Sequence, residues 1–139
     1  MPNLIVEIDG EEFLAVMQIE KAPKTCAALR RIMPLKGKVI HARWSGEAVW
    51  LPMDGTEISV EFENQTMYPS KGEMLFYPGV ISEKEILIPY GYSIFASKVG
   101  GLPGNHFATI ENKPDLLRKM GERVLWEGAK SIVIRAQPD

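Results

Sequence analysis

The chain has 139 residues, enough for one domain with its own core and too few for two of ordinary size. Apolar residues make up 45% and charged residues 24%, which excludes a disordered or fibrous chain. A net charge of −2 leaves no basic footprint for nucleic acid, and the single cysteine, Cys26, excludes an internal disulfide. The N-terminal residues lack the basic-then-apolar pattern of a signal peptide, and no apolar run is long enough to span a bilayer. The expectation is a single domain over 1–139 in a reducing cytoplasm, with no membrane or nucleic-acid partner.

Residues 4–8 and 13–19 are apolar runs separated by Asp9-Gly10, a pair that tolerates positive φ, so they read as a hairpin. Ala22-Pro23-Lys24-Thr25 opens a helix whose Cys26, Leu29, Ile32 and Met33 share one face; Pro34 stops it. Lys38–Trp44 reads as a strand with Ile40, Ala42 and Trp44 on one side and Val39, His41 and Arg43 on the other. That assignment places Trp44 in the core. A short strand, Glu47–Leu51, ends at Pro52. Ile58, Val60 and Phe62 alternate with charged or polar residues and read as a half-buried strand.

Glu73–Tyr77, Glu85–Ile88 and the stretch around Tyr90-Gly91-Tyr92 are further strands. Residues 100–104 form a tight glycine- and proline-rich loop. A strand from His106 to Ile110, a helix opened by Pro114 and closed by Gly121 as its cap, and a strand from Ser131 to Arg135 complete the chain. Eight or nine short strands without βαβ alternation predict a closed, mostly antiparallel barrel with a helix over each end, since closure removes sheet edges.

Both ends of the chain resemble the cyclophilins. The hairpin, the Ala-Pro-Lys-Thr helix, the Gly104-Asn105-His106-Phe107 strand, the Leu116-Leu117-Arg118-Lys119-Met120 helix and the Ile-rich last strand occur in the cyclophilin order. The middle, with His41-Ala42-Arg43-Trp44-Ser45-Gly46-Glu47 and Gly72-Glu73-Met74-Leu75-Phe76-Tyr77-Pro78, resembles an uncharacterised bacterial group of cyclophilin-like proteins. The resemblance implies a cyclophilin-like barrel. It also implies Arg43 as the electrostatic group that would stabilise a twisted X-Pro amide, and His106 as a pocket residue. The proline-pocket segments do not carry over. Val49–Met53 stands where the Gln-Gly-Gly-Asp strand is expected, and Lys84–Ile88 stands for Ser-Gln-Phe-Phe-Ile. Leu102-Pro103 takes the place of a tryptophan.

His41 and Arg43, two apart on a strand, place an imidazole and a guanidinium roughly 7 Å apart, suited to a carboxylate, carbonyl or phosphate. Against this stands a solvated outer face with Arg43 paired to a glutamate. Trp50, on a short strand ending at a proline, suits the cap of a pocket or a dimer contact, and Tyr77, Tyr90 and Tyr92 lie at strand ends, where aromatics either rim a ligand pocket or seal a barrel mouth. Two histidines and one cysteine without ligand spacing give no metal site, and no motif asks for a cofactor. The expected function is binding of a small polar or anionic molecule, or a peptide, in a groove lined by His41, Arg43 and His106, with Trp50, Tyr77 and Tyr90 near it. Two alternatives stand beside it. One is an active prolyl isomerase with Arg43 and His106 as catalytic residues, and the other is an accessory subunit of a metabolic enzyme. A homodimer through an exposed strand or the Trp50 region is compatible with all three.

Overall fold

Asp9 and Gly10 both adopt positive φ, 52° and 84°, as a two-residue hairpin turn requires, and join β1 (Asn3–Ile8) to β2 (Glu11–Met17). The structure is a computed structural model and describes residues 3–138. After the hairpin come α1 (Pro23–Arg31), β3 (Leu35–His41) and β4 (Gly46–Pro52). Next are β5 (Gln65–Thr66), β6 (Glu73–Tyr77), β7 (Glu85–Ser93) and the small pair β8 (Ala96–Ser97) and β9 (Gly100–Gly101). The chain ends with β10 (Gly104–Ile110), α2 (Pro114–Glu127) and β11 (Lys130–Ala136).

Eight strands run β2-β1-β11-β3-β4-β7-β6-β10, and β10 pairs back onto β2 to close an antiparallel barrel. This is the mainly-β, two-helix barrel expected from the sequence. Alternate residues point inward: Leu4, Val6 and Ile8 from β1, Met74 and Phe76 from β6, Ile86 and Ile88 from β7. Both helices add their apolar stripes to this interior, Cys26 and Leu29 from α1 and Leu117, Met120 and Val124 from α2. Among the described residues no helix is long and apolar enough to cross a membrane.

Strand β6 from Met74 on and β7 as far as Tyr90 are buried on both faces, which is why they read as apolar runs. Their outer residues, Leu75, Tyr77 and Leu87, form a second cluster with Phe95 and Leu102 from the segment that crosses over them. In β10 a bulge between His106 and Ala108 lets the adjacent residues Phe107 and Ala108 both be buried, so the inward positions shift from Asn105 and Phe107 to Ala108 and Ile110.

Three expectations are corrected. Residues 57–63 form no ladder although Ile58 is buried. The barrel is already closed, so this segment finds its partners in side chains: Asn105 accepts from Glu63 N–H and donates to the Glu61 carbonyl. Strand β3 ends at His41, and 42–45 turn instead of continuing; Trp44 is 57% exposed, not core. Gly121 lies inside α2, and Gly128, at φ 100°, follows its end.

Gly121 is there for contact. A Cβ at this position would sit 2.1 Å from the Tyr90 ring. Alanine would gain about 1 kcal/mol of helix propensity, yet the overpacking should outweigh it. Gly121→Ala is expected to lower stability by about 2 kcal/mol in urea denaturation. A stabilised variant would mean that α2 can slide off Tyr90 freely.

Candidate functional site

Tyr90 is the hinge between core and surface. Its ring is buried under Gly121, and its hydroxyl lies 2.8 Å from His41 Nε2. The Arg118 guanidinium stands over the same ring, 5.6 Å from its centre. Arg118 also makes a two-pronged ion pair with Glu47, at 3.0 and 3.1 Å, and Glu47 Oε1 accepts the Tyr92 N–H at 3.0 Å. Gly91 makes this close approach to the backbone feasible, since a Cβ there would lie 2.2 Å from Glu47 Oε1. The result is a guanidinium fixed in position while it remains partly exposed.

Electrostatics agree with this geometry. Arg118 and the Tyr92 N–H hold the Glu47 carboxyl below its usual range, so it stays ionised. Burial, then the nearby Arg43 charge, lower the His41 pKa and keep the imidazole neutral. His41 Nδ1 is buried without a partner among the described residues.

Arg118 opens onto a cleft of about 780 Å³, walled by Ser45, Ser70, Lys71, Tyr92, Ser93 and Ile94. The Ser93 hydroxyl is buried and has no partner among the described residues. Tyr92 is 90% exposed at the rim. The turn that carries Lys71 is tied to β6 by Ser70 N–H donating to Glu73 Oε1 at 2.7 Å. Arg43 sits in the 42–45 turn beside this cleft, exposed and without an ion-pair partner among the described residues. Its charge still reaches His41 and Glu47.

The two histidines do not share a groove. His41 on β3 and His106 on β10 belong to opposite strands of the eight-stranded ring. Nε2 of His106 lies 2.7 Å from Thr109 Oγ1, and its Nδ1 lies 3.9 Å from Glu73. Burial lowers its pKa against the pull of Glu73. Thus His106 approaches the Arg118 cleft only through Glu73, which also holds Ser70. Tyr77 and Tyr90 line neither this cleft nor the next; both are buried, and Tyr77 accepts the Ile81 N–H at 2.9 Å. Trp50 lines a second, smaller cleft with Trp44 and Glu85, on the far side of the 42–45 turn.

Sequence reasoning missed Glu47, Lys71, Glu85 and Arg118. Arg118 gave no local signal: it stands on a helix next to Lys119, and its partner Glu47 is 71 residues away. Glu85 did carry a trace. Alternation puts it on the same face as Leu87, which is buried in the outer cluster.

The sequence matches a family described as "protein of unknown function (DUF3830)" over residues 4–135, and the chain belongs to that family. No curated protein matches it. Among solved structures it is similar to McbB, determined in complex with tryptophan, at 17% identity and a TM-score of 0.72. That match covers 98% of this chain and 45% of McbB, so the chain spans less than half of McbB's length. It is also similar to the hypothetical protein AF2241 from Archaeoglobus fulgidus, at 17% identity and a TM-score of 0.65, over 96% of this chain and 93% of that one. At these identities the likeness is one of fold.

Proposed function

We propose that this member of the DUF3830 family is a binding domain for a small organic anion, a carboxylate or phosphate carried on a partly apolar body. The observation that carries the reading is the fixed Arg118 guanidinium opening onto a cleft with Lys71 and the unpartnered Ser93 hydroxyl. The cleft's volume suits a small molecule. Glu47 uses two of the five Arg118 N–H donors, and Glu122 Oε1, 3.8 Å from Nη1, is too far to hydrogen-bond a third, so three remain for a ligand. Arg43 adds long-range attraction from the neighbouring turn. Tyr92 and Ile94 offer apolar surface for the ligand's body.

Prolyl isomerisation has less support. An isomerase needs an open apolar recess for the proline ring, whereas Phe95 and Leu102 fill the outer face of β6 and β7.

Benzoate and phenyl phosphate are suitable probes, with benzamide as the neutral control. In calorimetric titration the two anions should bind and benzamide should not. Lys71→Ala should weaken the anions at least fivefold and Arg118→Gln at least tenfold. Equal binding of benzoate and benzamide, or no loss in either variant, would contradict the assignment. Raising salt should weaken binding, as screening of exposed charges requires.

A further inference from the structure

The second cleft, about 330 Å³, has a different chemistry. Its walls include Trp44, Trp50, Glu83, Glu85, Ser97 and Lys98. The two indoles meet edge to face, with ring centres 6.1 Å apart and planes at 74°, so they form two walls nearly at right angles. Trp44 is largely exposed, yet its Nε1–H donates to the Ala96 carbonyl at 3.0 Å, which fixes the ring. A solvent-facing indole held in one orientation offers its π-face to a ligand rather than to the core.

Glu85 supplies the other half of the site. It opens β7, and the antiparallel register puts it opposite Tyr77 on one side and Pro52 on the other, with Leu87 two residues on. Only 4% of it is exposed. No ion pair reaches it among the described residues, and burial, with Glu83 nearby, pushes its pKa up to about 8. Buried carboxyls are either paired with a cation or held neutral. This one is flanked by Pro52, Tyr77 and Leu87, with a cleft beside it and no partner among the described residues.

We propose that the Trp44–Trp50–Glu85 cleft binds an organic cation, an amine or quaternary ammonium group seated between the two indole walls and the Glu85 carboxyl. Aromatic faces and a carboxylate together recognise such groups by cation–π attraction and direct charge pairing. On binding, the neutral carboxyl gives up its proton to solvent and the ion pair replaces it. Lys98 is no permanent occupant: it is 80% exposed and reaches Glu83 only at 3.5 Å. The other charged groups near this strand end, Asp54 and Lys84, are engaged elsewhere. Asp54 accepts the Lys84 N–H, and Lys84 Nζ donates to the Thr56 carbonyl.

Choline and its uncharged isostere 3,3-dimethylbutan-1-ol separate charge from shape. In a Trp126→Phe background, which removes the remote third tryptophan, choline should change the indole fluorescence saturably and the alcohol should not. Glu85→Gln and Trp44→Ala should each weaken choline at least tenfold, while Lys71→Ala, across the turn, should leave it unchanged. Both substitutions are suited to folding intact, because Gln mimics the neutral carboxyl and Trp44 is a surface residue. Equal response to choline and the alcohol, no response to choline, or full binding by Glu85→Gln would overturn the proposal.

Discussion

Glu85→Gln should leave stability almost unchanged at pH 5 and raise it by a few kcal/mol at pH 9. The carboxyl starts from 4.5 and is held at about 8 in the folded chain. A group whose folded pKa is raised binds its proton more tightly when folded. Its contribution is complete below about pH 4.5 and is lost progressively as pH rises to about 8, with a slope of at most about 1.4 kcal/mol per pH unit. Above that window the folded chain carries a buried charge with Tyr77, Leu87 and Trp50 around it. Glutamine keeps the shape and cannot ionise, so that slope vanishes. Urea denaturation of both proteins at pH 5, 7 and 9 reads the difference directly. Parallel stability profiles would show that Glu85 is solvated in the folded state.

Asn105→Ala should be among the most damaging single substitutions, costing about 3 kcal/mol. The side chain is fully buried and its hydrogen-bonding capacity is well used. Its Nδ2 donates to Thr25 Oγ1 and to the Glu61 carbonyl, each at 3.0 Å, and its Oδ1 accepts the Glu63 N–H at 3.1 Å. The consequence extends to α1. Ala22 supplies no side-chain cap to that helix. Instead Glu63 Oε2 accepts the Thr25 N–H at 2.6 Å and the Thr25 hydroxyl at 2.7 Å, a carboxylate at the helix N-terminus delivered from another segment. Asn105 holds that segment in place. Removing it leaves polar groups unpaired and loosens the cap together. Asn105→Asp should also destabilise, because it loses both donors and puts a second carboxylate near Glu63. A loss below about 1 kcal/mol for Asn105→Ala would show that the 57–63 segment is held by its apolar contacts alone.

These two residues also mark what could be read from the chain and what could not. The hairpin at Asp9-Gly10, the Pro23 helix, strands β6 and β10 and the final strand follow from turn chemistry and periodicity, which are local. The strand expected at 57–63 had the right alternation, and its inward residue Ile58 is indeed buried. Alternation reports burial, however, and not pairing; the segment's partners lie in Asn105, some 40 residues on. Gly121 looked like a helix stop because a glycine near a helix end usually is one, and only the packed Tyr90 ring explains it otherwise. Strand alternation puts His41 and Arg43 on one face; in the structure His41 ends β3 and Arg43 lies in the turn after it, both at the edge of the Arg118 network. Arg118, Glu47 and Lys71 come together only in the closed barrel, through α2 resting on β4 and β7. No spacing rule links them.

The central claim is that the Arg118 cleft takes a small organic anion. Amide chemical-shift mapping by NMR during a benzoate titration tests it most directly, because it reports location as well as binding. The amides of Ser70, Lys71 and Gly91–Ile94, with the Arg118 side-chain signal, should shift together along one saturable curve, and those of β1 and β11 should stay still. Shifts confined to other faces of the barrel, or none at high benzoate concentration, would contradict the account.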